Sequence, residues 1–147
     1  MLDYKMYEKF GQFINGEWCQ SSDKSTYEVI NPANEEVIGH ASKATKEDVD
    51  RALKSAQKGL EVWKKTPPWQ RSYIIRRIAD KMREKQDVLA KWMTLEVGKP
   101  FAEAKGEING AADIFEWNAE ETKRIYGQSV ESRFEDTRVH VYYQPVG

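Results

Sequence analysis

The segment between Gly98 and Gly127 predicts a long helix with defined ends. Gly98 suits a left-handed cap on the preceding helix, and Pro100 suits the first turn of the next one. Lys123 and Arg124 fall in the expected last turn, where cations offset the helix dipole, and Gly127 can cap the end. In a chain of 147 residues, the other elements must pack around a helix that is this long and has fixed ends.

This helix carries two non-polar faces. One face has helical spacing and predicts a buried stripe, formed by Ile108, Ala111, Ala112, Phe115, Ala119 and Thr122. The second face is formed by Ile114, Trp117, Asn118 and Ile125. A helix with two non-polar faces lies between two layers, so we expect neighbours on both sides.

Local signals predict the other elements. Asn15-Gly16 predicts a β-hairpin, strands follow at 27–30 and 36–41, and Thr45 with Asp48 begins a helix through a capping-box pattern. Three apolar stripes predict three helices before the long one: Val49, Ala52, Leu53, Ala56, Leu60 and Trp63; Ile74, Ile75, Ile78, Ala79 and Met82; Val88, Leu89, Trp92, Met93 and Leu95. Two strands are expected at 128–132 and 138–144, and residues 1–10 form a polar and aromatic lead-in.

Two segments, 95–100 and 116–127, resemble the N-terminal region of NAD(P)-dependent aldehyde dehydrogenases, and most of all the succinate-semialdehyde dehydrogenase group. Supporting pieces follow in the order of that family: 13–18, 29–33, Trp63 with Arg71 after it, and 143–147. The resemblance covers nearly all of the chain beyond the first ten residues, and it rests on the order and spacing of the pieces together.

The resemblance implies an α/β fold for the full-length enzyme. For this segment we expect an early β-hairpin and strands, three to four helices and a terminal β-hairpin, which gives an α+β appearance in isolation. Residues 1–127 would be the N-terminal part of the coenzyme-binding domain, and 128–147 the start of an oligomerisation arm. Val139, Val141 and Tyr143 would then mediate homo-oligomer assembly, and an internal edge hairpin is the alternative.

The catalytic cysteine, glutamate and asparagine motifs of the family do not occur in this sequence, and neither does a glycine-rich phosphate turn. We therefore expect no catalytic and no cofactor-binding residue here. NAD or NADP would serve the full-length enzyme, and neither is expected to bind this segment. Cys19, the only cysteine, is interpreted as an ordinary structural or partly exposed residue with no histidine or basic cluster beside it.

The resemblance also gives the second face of the long helix a role. It implies that Gly110, Ile114, Trp117 and Asn118 line the tunnel that admits the aldehyde, with Gly110 widening it and Asn118 adding a polar contact. The alternative is plain helix packing, and periodicity does not separate the two. The glutamates of the same helix, Glu107, Glu116, Glu120 and Glu121, are interpreted as surface carboxylates with partners four residues away on it.

Composition excludes several other classes of function. The net charge is −1, and the basic residues from Arg71 to Lys85 alternate with acidic ones, so a solvated helix face is favoured over a nucleic-acid site. No apolar run reaches the length of a membrane span, and one cysteine allows no internal disulfide, so we expect a cytoplasmic protein. His40 and His140 lie far apart, and no metal-ligand spacing is present.

Two functions remain after this reasoning. The first is the N-terminal segment of an aldehyde dehydrogenase that oxidises an aldehyde such as succinate semialdehyde to a carboxylic acid, inactive by itself and partnered by the rest of the enzyme chain. The second is a non-catalytic scaffold or assembly module that is complete at this length. The first predicts exposed apolar surface or self-association of the isolated chain.

Overall fold

The computed structural model describes Tyr7 and residues 11–146. Apart from Tyr7, the lead-in predicted for residues 1–10 lies outside the described residues, as does Gly147. Within the described part, three strand pairs and four helices follow one another in this order: β1 Gln12–Ile14, β2 Glu17–Cys19, β3 Thr26–Ile30, β4 Val37–Ser42, α1 Lys46–Trp63, α2 Pro68–Glu84, α3 Gln86–Val97, α4 Phe101–Glu121, β5 Gln128–Glu131 and β6 Arg138–Val141. The predicted order of strands and helices is confirmed.

The strands form three separate antiparallel pairs, β1 with β2, β3 with β4 and β5 with β6. In the first hairpin Asn15 has a φ of 56° and Gly16 a φ of 83°, as the predicted turn requires. Phe13 pairs with Trp18 across it, and their ring centroids lie 5.0 Å apart. The α+β appearance expected of this segment is therefore confirmed in the described residues.

A fully buried carboxylate fixes the start of α1. The side chain of Asp48 accepts a hydrogen bond from the backbone N–H of Thr45 at 2.9 Å, and the hydroxyl of Thr45 accepts one from the N–H of Asp48 at 3.2 Å, which confirms the capping box. Asp48 also accepts hydrogen bonds from the Ser21 hydroxyl and the Ser22 N–H, both at 3.2 Å. Arg51 completes the cluster at 2.6 Å. One side chain thus joins the loop after β2 to the helix.

The helical layer is centred on small side chains. α4 packs against α2 and α3, and the completely buried residues of these helices are Ala79, Ala90, Ala104, Ala112 and Ala119. Ile108 adds the one large buried side chain of α4, next to Ala90 and Ala104. Alanine side chains are small enough for neighbouring helix backbones to approach closely. The stability of this layer therefore depends on close helix packing more than on bulky core residues.

Two arginines of α2 cross this interface. Arg76 binds Glu116 at 2.8 Å and also binds Glu120, while Arg83 binds Asp113 and Glu116, both at 2.7 Å. The bond to Glu120 raises the pKa of Arg76, and the bond to Asp113 raises that of Arg83. The predicted partners were therefore wrong for Glu116 and Glu120, because both carboxylates bind arginines of α2 and Glu120 also binds Lys123, three residues away. Arg76 and Arg83 are also not free in solvent, as the solvated helix face expected from the sequence had implied.

The ends of α4 differ in part from the prediction. Gly98 has a φ of 76° and caps α3 as expected, and Pro100 stands just before the first turn of α4. The helix ends at Glu121, so Lys123 and Arg124 lie beyond its last turn and Gly127 does not cap it. Gly127 is needed for another reason: a Cβ there would lie 2.4 Å from the carbonyl oxygen of Val141.

Several predicted apolar stripes are open to solvent. On α1, Val49 is 47% exposed and Leu53 is 63% exposed, so the stripe expected to be core is largely on the surface. Ile74, Ile78, Val88 and Phe115, which were also expected to face inward, are exposed. These positions have helical periodicity, but the described residues supply no element that covers them. Periodicity identified the non-polar side of each helix without showing whether a neighbour covers it.

Enlarging an alanine of the helical layer tests the close approach of the helices. Ala112→Leu is expected to lower the free energy of unfolding by about 1–3 kcal/mol, because the added atoms have no space in the interface. Ala102→Leu, at an exposed position of the same helix, is the matched control and should change it by less than about 0.5 kcal/mol. Urea denaturation measures both. Equal effects of the two variants would contradict the proposed packing.

Removing the charge of Asp48 tests the buried cluster. Hydrogen bonding from the Thr45 backbone N–H, helped by Arg51, lowers the pKa of Asp48 below its ordinary value, so the ionised form stabilises the fold. This stabilisation is complete above the unfolded pKa of about 3.9 and is lost as the pH falls through the lower folded pKa. Asp48→Asn should reduce the melting temperature at neutral pH, and its difference from the native chain should shrink in acid. Asp50→Asn is the exposed control, and a difference that does not depend on pH would count against this explanation.

Candidate substrate tunnel wall and assembly hairpin

The four residues predicted to line a tunnel lie on one side of α4. At about 100° per residue, Gly110, Ile114, Trp117 and Asn118 fall within roughly a third of the helix circumference. Ile114 is 64% exposed and Trp117 is 70% exposed. The structure therefore brings these residues together on an open non-polar surface, here called the outer face of α4.

The two small or polar members of the outer face shape it differently. A Cβ built on Gly110 would have no neighbour within 4 Å, so the space beside this residue is open. The side-chain amide of Asn118 donates a hydrogen bond to the carbonyl oxygen of Ile114 at 2.8 Å. The hydrogen bond holds this amide against the helix, between Ile114 and the end of α4. The outer face thus combines a gap, two large apolar groups and one oriented amide.

The direction in which the outer face points is set by the packing of the other side of α4. The buried alanines of α4 and its bonds to Arg76 and Arg83 hold one side against α2 and α3. The side chains of Ile114 and Trp117 then point away from these two helices. Among the described residues nothing covers them, so the second neighbour expected for this helix is not found there.

The terminal hairpin presents a second open surface. Val130 pairs with Val139, and Gln128 pairs with Val141. All residues of β5 and β6 are exposed, with Val139 and Val141 on the same side of β6 because side chains alternate along a strand. β6 ends at Val141, so Tyr143 lies beyond the strand rather than inside it, as the predicted range 138–144 had implied. Tyr143 is also exposed.

The surroundings of Cys19 also differ from the prediction. Cys19 is half-buried and shares a groove of about 360 Å³ with Arg51, Lys54 and Lys58 of α1. The sequence interpretation, which placed no basic cluster beside it, was therefore wrong. The three cations recur at helical spacing and line the same groove as the cysteine only because α1 packs against the first hairpin.

Sequence reasoning missed one aromatic cavity. A space of about 510 Å³ is lined by Tyr7, Trp18, Tyr27, Trp92 and Glu96, among others. The rings of Tyr7 and Trp92 meet edge to face at 5.2 Å, and the Tyr7 hydroxyl donates to Glu96. Burial, then this carboxylate, raises the pKa of Tyr7. No local signal reveals the cavity, since its residues come from distant segments that only the fold joins.

The described residues contain neither a candidate metal site nor a candidate membrane-spanning helix. No cluster of three or more His, Cys, Asp or Glu side chains there is arranged to hold a metal ion. No helix in the same residues combines the length and apolar character that crossing a bilayer requires.

A family model described as the aldehyde dehydrogenase family matches residues 18–147. The glutarate-semialdehyde dehydrogenase of Pseudomonas putida is 46% identical over 135 residues, which is 92% of this chain and 28% of that protein. The NADP(+) succinate-semialdehyde dehydrogenase of Escherichia coli is 42% identical over 134 residues, 91% of this chain and 28% of the relative. The chain thus spans less than a third of the length of these relatives.

Solved structures agree with this match. The succinate-semialdehyde dehydrogenase of Burkholderia pseudomallei superimposes with a TM-score of 0.90 at 37% identity, over 94% of this chain and 29% of that one. The betaine aldehyde dehydrogenase of Staphylococcus aureus, solved in complex with NAD+, gives a TM-score of 0.85 at 32% identity, over 92% of this chain and 28% of that one. The chain belongs to the aldehyde dehydrogenase family, and it matches the N-terminal portion of these relatives.

Proposed function

We propose that this segment is part of an enzyme that oxidises a short semialdehyde to the corresponding dicarboxylic acid with NAD or NADP as the hydride acceptor. The observation that carries the proposal is the family match over residues 18–147, together with relatives named as semialdehyde dehydrogenases at 46% and 42% identity. The cytoplasmic location and the absence of nucleic-acid binding expected from the sequence stay predictions.

Within that enzyme, residues 1–127 would belong to the coenzyme-binding domain and 128–147 would begin the oligomerisation arm. The outer face of α4 would form part of the substrate tunnel, with Ile114 and Trp117 as its apolar wall, Gly110 as a widening and Asn118 as a polar group. The support is geometric: these residues share one open side of a helix that is fixed on its other side. An apolar wall with few polar groups is the usual lining of a small-molecule site.

The described residues do not fit the pyrophosphate of a dinucleotide. Such a group binds at a helix N-terminus that follows a glycine-rich turn. The helices of the described part begin instead after Thr45, Pro67, Lys85 and Pro100, and the buried carboxylate of Asp48 already occupies the first of these ends. We therefore place the coenzyme on other parts of the enzyme and assign this segment no step of hydride transfer.

The alternative, a scaffold complete at this length, has less support. A stand-alone module is expected to cover its large apolar side chains, because extensive exposed patches promote association. Here Leu53, Trp117, Val139 and many other large hydrophobic residues are exposed. These surfaces fit a segment that packs against further parts of an enzyme.

The tunnel assignment predicts a kinetic effect of Trp117. In the enzyme that contains this segment, Trp117→Ala should lower kcat/KM for succinate semialdehyde by about tenfold, mainly through KM, because apolar contact with the substrate is lost. Trp69→Ala is the matched control, since Trp69 is an equally exposed tryptophan on α2. Steady-state formation of the reduced coenzyme measures both. Indistinguishable kinetics of the two variants would contradict the assignment of Trp117 to the tunnel. Turnover by the 147-residue chain alone would contradict the proposal that the catalytic residues lie in other parts of the enzyme.

The assembly role of the hairpin predicts a change of mass. Val139→Lys together with Val141→Lys should convert the enzyme to a smaller species, because charges on that side of β6 oppose association. His140→Lys places a charge on the other side of the same strand and should leave the mass unchanged. Size-exclusion chromatography with light scattering measures all three proteins. An unchanged mass of the double variant would favour the alternative of an internal edge hairpin.

A further inference from the structure

A cleft at the end of the helical layer contains none of the four residues of the outer face of α4. Its volume is about 640 Å³, and it is bounded by the connection from α1 to α2, the residues that follow α4 and the residues that follow β6. Trp63 and Tyr143 contribute aromatic rings to its lining. We call it the basic cleft, after its four cationic residues Lys64, Lys65, Arg71 and Lys123.

The charge of the basic cleft is one-sided. None of its lining residues is an aspartate or glutamate, whereas the whole chain carries 24 acidic against 23 basic residues. Lys64 binds Glu61 and Lys123 binds Glu120, each at 2.5 Å, and both carboxylates lie outside the lining. Positive charges that line a concave site concentrate a positive electrostatic potential inside it. The basic cleft is therefore a positive region on a nearly neutral molecule.

Arg71 is the most informative member of the basic cleft. It is half-buried, and within the described residues neither Arg71 nor Lys65 forms an ion pair. Arg76, the other half-buried arginine of α2, binds two carboxylates. Arginine is rarely removed from water without a partner, because its charge must then be compensated. Among the described residues, the guanidinium of Arg71 thus has no counter-charge like those that bind Arg76.

We propose that the basic cleft binds a small multivalent oxyanion. A planar guanidinium such as that of Arg71 can donate two parallel hydrogen bonds to the oxygens of one phosphate or carboxylate group. The ammonium group of Lys65 then acts as a point charge on a second anionic group, which favours ligands with two or more such groups. The site does not depend on the proposed dehydrogenase function, since it shares no residue with the outer face of α4.

Calorimetric titration of the 147-residue chain tests the site. Tripolyphosphate and citrate serve as probes, each against sodium chloride of matched ionic strength, and they separate phosphate from carboxylate ligands. The variant Lys65→Gln with Arg71→Gln removes the two cations of the cleft that form no ion pair with a described residue. The variant Lys54→Gln with Lys58→Gln removes two cations from the groove beside Cys19 and is the matched control for net charge. Circular dichroism confirms that each variant keeps its helices.

We expect saturable binding of at least one probe at one site per chain, and binding about tenfold weaker in the Lys65 and Arg71 double variant. The Lys54 and Lys58 double variant should bind as the native chain does. Arg71→Lys, which keeps the charge but loses the paired donors, should fall between the native chain and the double variant. Equal weakening in both double variants would show unspecific attraction and overturn the proposal. So would the absence of saturable binding by both probes.

Discussion

The described structure depends on the contact of α4 with α2 and α3. Alanines fill its centre, so the helix backbones approach closely, and Arg76 and Arg83 bind carboxylates of α4 across its edge. The apolar contact is non-directional, whereas the two arginines fix the rotation of α4 about its axis. Together they decide which side of this helix is buried and which side is exposed as the outer face.

The large hydrophobic residues are mostly outside this contact. Side chains such as Leu53 and Trp117 are exposed, while the smallest apolar residues are buried. This inverts the usual distribution, in which large apolar groups form the core. The chain spans less than a third of the length of the relatives it matches, and the exposed apolar faces agree with the proposal that further parts of an enzyme pack on them.

Much of the fold could be predicted where a few neighbouring residues decide the outcome. Asn15-Gly16 gave the first hairpin, Thr45 and Asp48 the start of α1, and Gly98 the end of α3. The outer face of α4 was also predictable as a set, because helical spacing alone places Gly110, Ile114, Trp117 and Asn118 on one side. Its role in a tunnel came from resemblance to a family and stays a prediction.

What remained unpredictable depends on contacts between distant segments. Periodicity showed the non-polar side of α1 but not its exposure, and spacing within α4 suggested wrong partners for Glu116 and Glu120. The close approach of Gly127 to Val141 likewise follows from the terminal hairpin. The sequence by itself determined the order of the elements, the caps at Thr45 and Gly98 and the family, since these depend on local conformation and residue order. The tertiary structure alone decided which faces are covered, which charges pair and where the basic cleft forms, because these depend on distances between residues far apart in the chain.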